Sequence, residues 1–102
     1  MILAVNADHT VVLEDAGDFR RFHLEIDPAL DLDAARSALA GVAHLESADK
    51  AWVDRPALYS LGRDAGGEAW ETQADAMLQG AARHGWVRGH EPSIQSHVVW
   101  RR

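Results

Sequence analysis

The feature that most constrains the fold is an apolar stripe with the period of an α-helix in the last third of the chain. Its members recur three or four residues apart: Trp70, Ala74, Met77, Leu78 and Ala81. A helix with one apolar stripe has to bury it against another element of the same domain. Gly85 follows a basic turn, as expected of a glycine that ends a helix. We therefore predict a helix over about 68–84.

The segment that follows this helix predicts a strand. Between Ser93 and Arg101 the residues alternate, with Ile94, Ser96, Val98 and Trp100 on one face and Gln95, His97, Val99 and Arg101 on the other. Alternation with a period of two is typical of a half-buried strand. We expect the helix to pack on the sheet to which this strand belongs.

The first quarter of the chain predicts three more strands. Ile2–Val5 and Thr10–Glu14 are apolar runs separated by turn residues, and Phe19–Ile26 alternates between apolar and polar positions. Asn and Asp in the connections favour turns because they tolerate left-handed backbone and bond to their own main chain. We interpret this quarter as a three-stranded meander.

The middle of the chain predicts a helix, a strand and a loop. Residues of helical spacing follow Asp31 or Asp33, either of which can cap a helix, so a helix is expected over about 31–43. Lys50–Leu61 alternates and favours a strand, in which Pro56 indicates an edge position or a bulge. The glycine-rich stretch after it is interpreted as a flexible connection, and it lacks the lysine and hydroxyl residue of a phosphate-binding loop.

Together these elements predict a single α+β domain over residues 1–102. The expected order is β-β-β-α-β-α-β, in a mostly antiparallel sheet of four to five strands with two helices on one face. The chain has no internal repeat and no linker, so we expect one hydrophobic core.

Charge and composition exclude several classes of function. The net charge of −6 argues against binding to the phosphate backbone of nucleic acid. The chain has no cysteine, which excludes disulfides, thiolate nucleophiles and cysteine-based metal sites. No apolar run approaches the ~20 residues that span a bilayer, and the first residues lack a signal-peptide pattern, so we expect no membrane association and a cytoplasmic location. The excess of arginine over lysine favours a bacterial source.

Histidines near the C-terminus are candidate metal ligands or proton carriers. His84, His90, Glu91 and His97 fall on a helix end, a loop and a strand, which could converge around zinc or iron. Their spacing matches no helical or zinc-finger pattern, and the alternative is that they are ordinary surface residues. We therefore expect no cofactor. His97 could instead act as a general base, oriented by Glu25 or Glu91, and His23 could equally pair with it across the sheet.

Four tryptophans in 102 residues supply further candidates. Trp70 belongs to the helical stripe and is expected in the core, whereas the others either fill the core or line a pocket or interface. A pocket between sheet and helices would hold a small anionic or carbonyl-containing ligand. Its candidate residues are Trp52, Tyr59, His84, Trp86, Arg88, His97 and Trp100.

The sequence leaves three functions open. The leading hypothesis is a non-catalytic homodimeric interaction or assembly module. Ile2–Val5, Val11–Leu13 and Val98–Trp100 are apolar on both faces, whereas two helices can cover only one face of the sheet. The alternative is a small-molecule-binding protein or a small enzyme that uses the pocket described above. A protein-binding accessory role for the acidic first half is the third.

Overall fold

The computed structural model describes residues 1–83, 85, 87, 88 and 93–101, and only the backbone of Arg88. Within this part of the chain, two helices cover one face of a mixed β-sheet, so the predicted α+β class is confirmed. The elements in chain order are β1 (Ile2–Val5), β2 (Val11–Glu14), β3 (His23–Ile26), α1 (Leu32–Ala38), β4 (Ala43–Leu45), β5 (Lys50–Asp54), α2 (Arg55–Arg83), β6 (Val87–Arg88) and β7 (Ser93–Trp100).

The sheet is larger and less antiparallel than predicted. Its strand order is β2-β1-β3-β7-β5-β4, and β6 pairs with β7 beside this path. The pairs β1·β3 and β3·β7 are parallel, and the other four pairs are antiparallel. The sheet is therefore mixed, although most of its pairs are antiparallel as predicted, and the predicted four to five strands and the order β-β-β-α-β-α-β are corrected. The prediction missed β4 and β6 because three- and two-residue strands are too short to show a period.

The first three strands do not form a meander. Strand β3 lies beside β1 rather than β2, and it runs parallel to β1. In β1, Leu3, Ala4 and Val5 are all buried, with 1% or less of each exposed. Its neighbours β2 and β3 pair with it along both edges, so β1 lies inside the sheet.

The segment from residue 55 to residue 66 is helical, although alternation predicted a strand and a loop there. The strand ends at Asp54, whose carboxylate accepts a hydrogen bond of 3.2 Å from the backbone N–H of Ala57. This bond caps the first turn of α2, where Pro56 is tolerated because no helical N–H bond is needed. The helix breaks at Gly67, which has φ 63° and ψ −150°. The helix predicted over about 68–84 is confirmed as far as Arg83.

Helix α1 is shorter than the predicted 31–43. Asp31 caps it by accepting a hydrogen bond of 2.7 Å from the N–H of Ala34, as its position predicted. The helix ends at Ala38, and Gly41 adopts a left-handed φ of 80°. A glycine in this conformation turns the chain out of the helical direction, so the residues that follow form β4 instead of a further helical turn.

Both helices contribute to one core on the same face of the sheet. The strands supply every second residue to this core, and the helices supply their apolar sides. Among the described residues, no helix has the length and apolar character needed to cross a membrane. The principal buried residues of this core are Leu3, Val5, Leu24, Ile26, Val53, Ile94 and Val98 from strands, Ala35, Leu58, Trp70, Ala74 and Leu78 from helices, and Leu39 directly after α1.

Candidate functional site

A cavity of about 500 Å³ lies beside β7, and we call it the β7 cavity. It is bounded by the loop that precedes β3, by the second half of α2 and by β7 itself. Its described lining consists of Phe19, Arg20 and Phe22 from the loop, Ala76, Met77, Gly80 and Ala81 from the helix, and Ile94, Gln95, Ser96 and His97 from the strand.

The strand pairing explains where this cavity lies. Strand β6 pairs with the beginning of β7, at Ser93 and Ile94, and β3 pairs with its second half, from His97 onward. The cavity lies at the junction between these two short partners. Because side chains alternate along a strand, residues 94 and 96 face the helices and residues 95 and 97 face the open side. The described lining therefore includes residues of both orientations on β7.

Small residues of α2 form the helical wall of the β7 cavity. Gly80 lines it, and a Cβ added at this glycine would meet no atom within 4 Å. Ala76 and Ala81 line the same wall, and Met77 is the longest side chain on it. A methionine adapts its shape to what it contacts more readily than a branched residue does. This wall can therefore accommodate ligands of different shapes.

The polar lining of the β7 cavity is basic. Arg20 and His97 are its two residues that can carry positive charge, and the described lining contains no carboxylate. Arg20 lies with its Nε 3.9 Å from the carboxylate of Asp18, and 95% of the arginine side chain is exposed. In the sheet, His97 lies in register between His23 and Lys50, as the sequence predicted for the histidine pair. The cavity thus opens toward a row of basic positions in an acidic protein.

An ion-pair network covers part of the open face of the sheet. The Arg101 guanidinium donates 2.9 Å hydrogen bonds to the carboxylates of Glu25 and Glu14. His23 lies 3.5 Å from the second oxygen of Glu25. The bond to Arg101 lowers the pKa of the Glu25 carboxyl below its ordinary value, and the same pair raises the pKa of Arg101. The network spans β1, whose Ala4 is in register with Glu25 and is fully buried.

A second polar cluster joins the two segments of α2. The Tyr59 hydroxyl donates to the carboxylate of Asp75, and the Arg55 guanidinium lies 4.8 Å above the tyrosine ring. Burial, and after it the bond to Asp75, raises the pKa of Tyr59 to about 12. The ring also packs edge-on against Trp70, which donates from its indole N–H to the Ala16 carbonyl. This cluster holds the helical segments together and lies outside the lining of the β7 cavity.

The structure does not gather the predicted pocket residues into one site. His97 lines the β7 cavity, but Trp52, Tyr59 and Trp100 are not among its described lining residues. Trp52 lies on the open face, with its indole N–H bonded to Glu46. Trp100 lies on the face toward the helices and donates to the Ala48 carbonyl. The remaining candidates lie outside the described residues: His84, Trp86, His90 and Glu91. For Arg88, only the side chain lies outside them.

Within the described part of the chain, no group of three or more His, Asp or Glu residues is placed to hold a metal ion. The carboxylate of Glu25 contacts His23 and not the exposed His97. Of the proposed ligands, His97 alone falls on described residues, so the convergence of the others stays a prediction.

Sequence reasoning missed most of the cavity lining. Phe19 and Phe22 were assigned to a strand, whereas the strand begins at His23 and both rings belong to the preceding loop. Gly80 carried a usable signal, because an isolated glycine inside a strongly helical pattern usually has a packing or functional reason. Arg20 gave no signal, since nothing in its sequence context separates it from Arg21.

Searches against protein-family models, curated proteins and solved structures found no match to this chain. The assignment of a function therefore depends on the geometry of the candidate site.

Proposed function

We propose that this protein binds a small molecule in the β7 cavity. The observation that carries the proposal is the cavity itself, because about 500 Å³ falls within the ~300–1,000 Å³ typical of ligand sites. Its described lining is mainly apolar, and Arg20, Gln95, Ser96 and His97 add a few polar groups. This combination of an apolar body and a small number of orienting groups is what ligand pockets share.

The composition of the helical wall supports the proposal. A glycine in the interior of a helix costs roughly 0.5–1 kcal/mol of stability relative to alanine. Gly80 lies inside α2 with free space where its side chain would be, so neither close packing nor a left-handed backbone requires a glycine there. Space for a ligand is a reason for glycine at this position.

The experiment is a titration with N-phenyl-1-naphthylamine, a neutral probe whose fluorescence rises in apolar sites. We expect saturable binding to the wild-type protein and loss of at least tenfold in affinity in Gly80→Leu, which fills the cavity from α2. The matched control is Ala82→Leu, which adds the same side chain at an exposed position two residues away. This control should bind the probe as the wild type does.

Gly80→Leu is expected to fold, because leucine is a better helix former than glycine and enters free space. Circular dichroism checks this before the titration. Probe binding that is absent from the wild type, or equal in wild type and a folded Gly80→Leu variant, would contradict the proposal.

Homodimerisation through the open face of the sheet is the second candidate function. Val12 and Val99 are the exposed large hydrophobic residues among those the structure describes, with 41% and 44% exposed, and both lie on this face. Sedimentation velocity at tens of micromolar should give a dimer that Val99→Ser weakens. A wild-type monomer at that concentration would remove this candidate.

A cytoplasmic location and the absence of nucleic-acid partners also stay predictions, and the net charge of −6 supports the second.

A further inference from the structure

The charge distribution at the β7 cavity differs from that of the chain as a whole. The protein carries 16 acidic and 10 basic residues, so a cavity of average composition would have carboxylates in its wall. The described lining instead contains Arg20 and His97 and no acid. A cationic ligand would meet these groups without a counter-charge in the described wall, whereas an anionic ligand would complement them.

The open side of the cavity adds two more basic positions. His23 and Lys50 are the register neighbours of His97 on either side, so the three side chains lie on one face in one row across the sheet. Each neighbour has a carboxylate partner, since His23 contacts Glu25 and Lys50 lies 3.3 Å from Glu46. These partners are not among the described residues that line the cavity. The exposed His97 lies at the centre of the row, between these two ion-paired residues.

The rest of the described lining is mainly apolar. Phe22 and Met77 pack against the hydrophobic core, and Ile94 belongs to it with 3% of its surface exposed. The described lining therefore combines these apolar residues with the basic residues Arg20 and His97. A molecule that contacts both has to be apolar at one end and charged at the other.

We infer that the β7 cavity takes an amphipathic anion, with an apolar body against Phe22, Met77 and Ile94 and a carboxylate or sulfonate head at Arg20 and His97. This inference depends on the proposed function, because it names the chemical class of ligand for the same cavity. Charge-assisted hydrogen bonds to the head group give the ligand its orientation, and burial of the body provides most of the affinity.

The test compares two fluorescent probes with the same aromatic body. These are 1-anilinonaphthalene-8-sulfonate, which carries one negative charge, and N-phenyl-1-naphthylamine, which lacks the sulfonate. We expect the sulfonate to bind about tenfold more tightly than the neutral probe, as one charge-assisted contact predicts. This preference should fall as salt is raised, because the head lies near solvent.

Arg20→Gln and its matched control Arg21→Gln locate the head group. Arg21 is exposed, lies next to Arg20 in the same loop and is not among the described lining residues. We expect Arg20→Gln to weaken binding of the sulfonate at least threefold and to leave the neutral probe unchanged. Arg21→Gln should change neither. His97→Gln should act on the sulfonate as Arg20→Gln does.

The outcomes separate this inference from the proposed function. Equal affinities for the two probes, or equal effects of Arg20→Gln and Arg21→Gln on the sulfonate, would overturn the inference while binding in the cavity stands. Failure of both probes to bind would overturn both. Binding of the sulfonate that Gly80→Leu does not weaken would overturn the inference alone, since the anion would then lie elsewhere on the surface.

Discussion

The two faces of the sheet bury their apolar residues in different ways. On the face toward the helices, Leu24 and Ile26 are fully buried within the hydrophobic core. On the open face, Ala4 is fully buried in register with Glu25 of the Arg101 network, and the Trp52 indole has Lys50 5.4 Å from its ring centre. The first face is covered by secondary structure, and the second is covered in part by long charged side chains of the sheet itself.

This difference bears on the sequence argument for a homodimer. That argument assumed that a strand apolar on both faces needs a second layer or a second subunit on each side. Long side chains can instead lie flat, covering apolar surface with their stems while their charged ends stay in water. Ala4 is fully buried although it lies on the open face, so burial there does not by itself require a helix or a second subunit.

The two faces should also differ in what they contribute to stability. Burial of a large apolar side chain stabilises a fold by roughly 1.5–3 kcal/mol, whereas an exposed ion pair contributes about 0–1 kcal/mol. The layer of helices should therefore be sensitive to small changes, and the open face should tolerate them. Three predictions test this contrast, in decreasing order of expected effect.

Gly62→Ala should give the largest effect. A Cβ at Gly62 would overlap the ring of Trp70, which is 3% exposed and held between the two segments of α2. Overpacking of this kind costs about 1–3 kcal/mol of unfolding free energy, although alanine favours helix more than glycine does. Urea unfolding measures the loss. Gly17→Ala is the control, because nothing lies within 4 Å of its added Cβ, and equal stability of the two variants would contradict the described packing.

Tyr59 should make the stability depend on alkaline pH. Its pKa in the folded protein is raised to about 12, above the ordinary value of 10, so the folded state holds the hydroxyl proton more tightly. The contribution is complete below pH 10 and is lost as the pH rises toward 12. We expect the wild type to lose about 1–2 kcal/mol in this range beyond what Tyr59→Phe loses. If the unfolding free energies of the two proteins fall equally as the pH is raised above 9, this would contradict the partly buried Tyr59–Asp75 contact.

Arg101→Gln should give the smallest effect, because it acts on the open face. With 37% of the Arg101 side chain exposed, solvent screens its ion pairs, and we expect a loss of about 0.5–1 kcal/mol at neutral pH and low salt. The loss should shrink at high salt. It should also shrink in acid. The lowered pKa of Glu25 stabilises the fold at pH values above the ordinary glutamate pKa, and this contribution is lost as the pH falls and that carboxyl is protonated. Arg20→Gln is the control, because 95% of the Arg20 side chain is exposed. A loss of stability in Arg101→Gln as large as that in Gly62→Ala would contradict the contrast between the two faces.

Strong periodicity predicted the fold, and its failures have physical causes. The second half of α2 and strand β7 were predicted because their patterns extend over more than eight residues. The strand predicted through Tyr59 was wrong because Asp54 and Pro56 form a helix start. This capping signal outweighs the alternation of the residues that follow. The β7 cavity was not predicted. It depends on the junction of β3 and β6 beside β7, which is a tertiary arrangement without a local signature.

The candidate residues show the same division. His97 was predicted on the open face from alternation alone, and its register with His23 was anticipated. Trp52 and Trp100 were grouped as pocket residues by residue type, which does not determine position. Trp52 of β5 lies opposite Gln95 of β7 and shares its face of the sheet. Residues 95 and 100 of one strand face opposite sides, so Trp52 and Trp100 lie on opposite faces.

The most direct test of the account is an amide NMR titration of the assigned protein with 1-anilinonaphthalene-8-sulfonate. Binding in the β7 cavity predicts saturable shifts at Phe22, Met77, Gly80 and His97, with Val12 unchanged. Shifts confined to the open face around Val12 and Val99, or no saturable shifts at all, would contradict it.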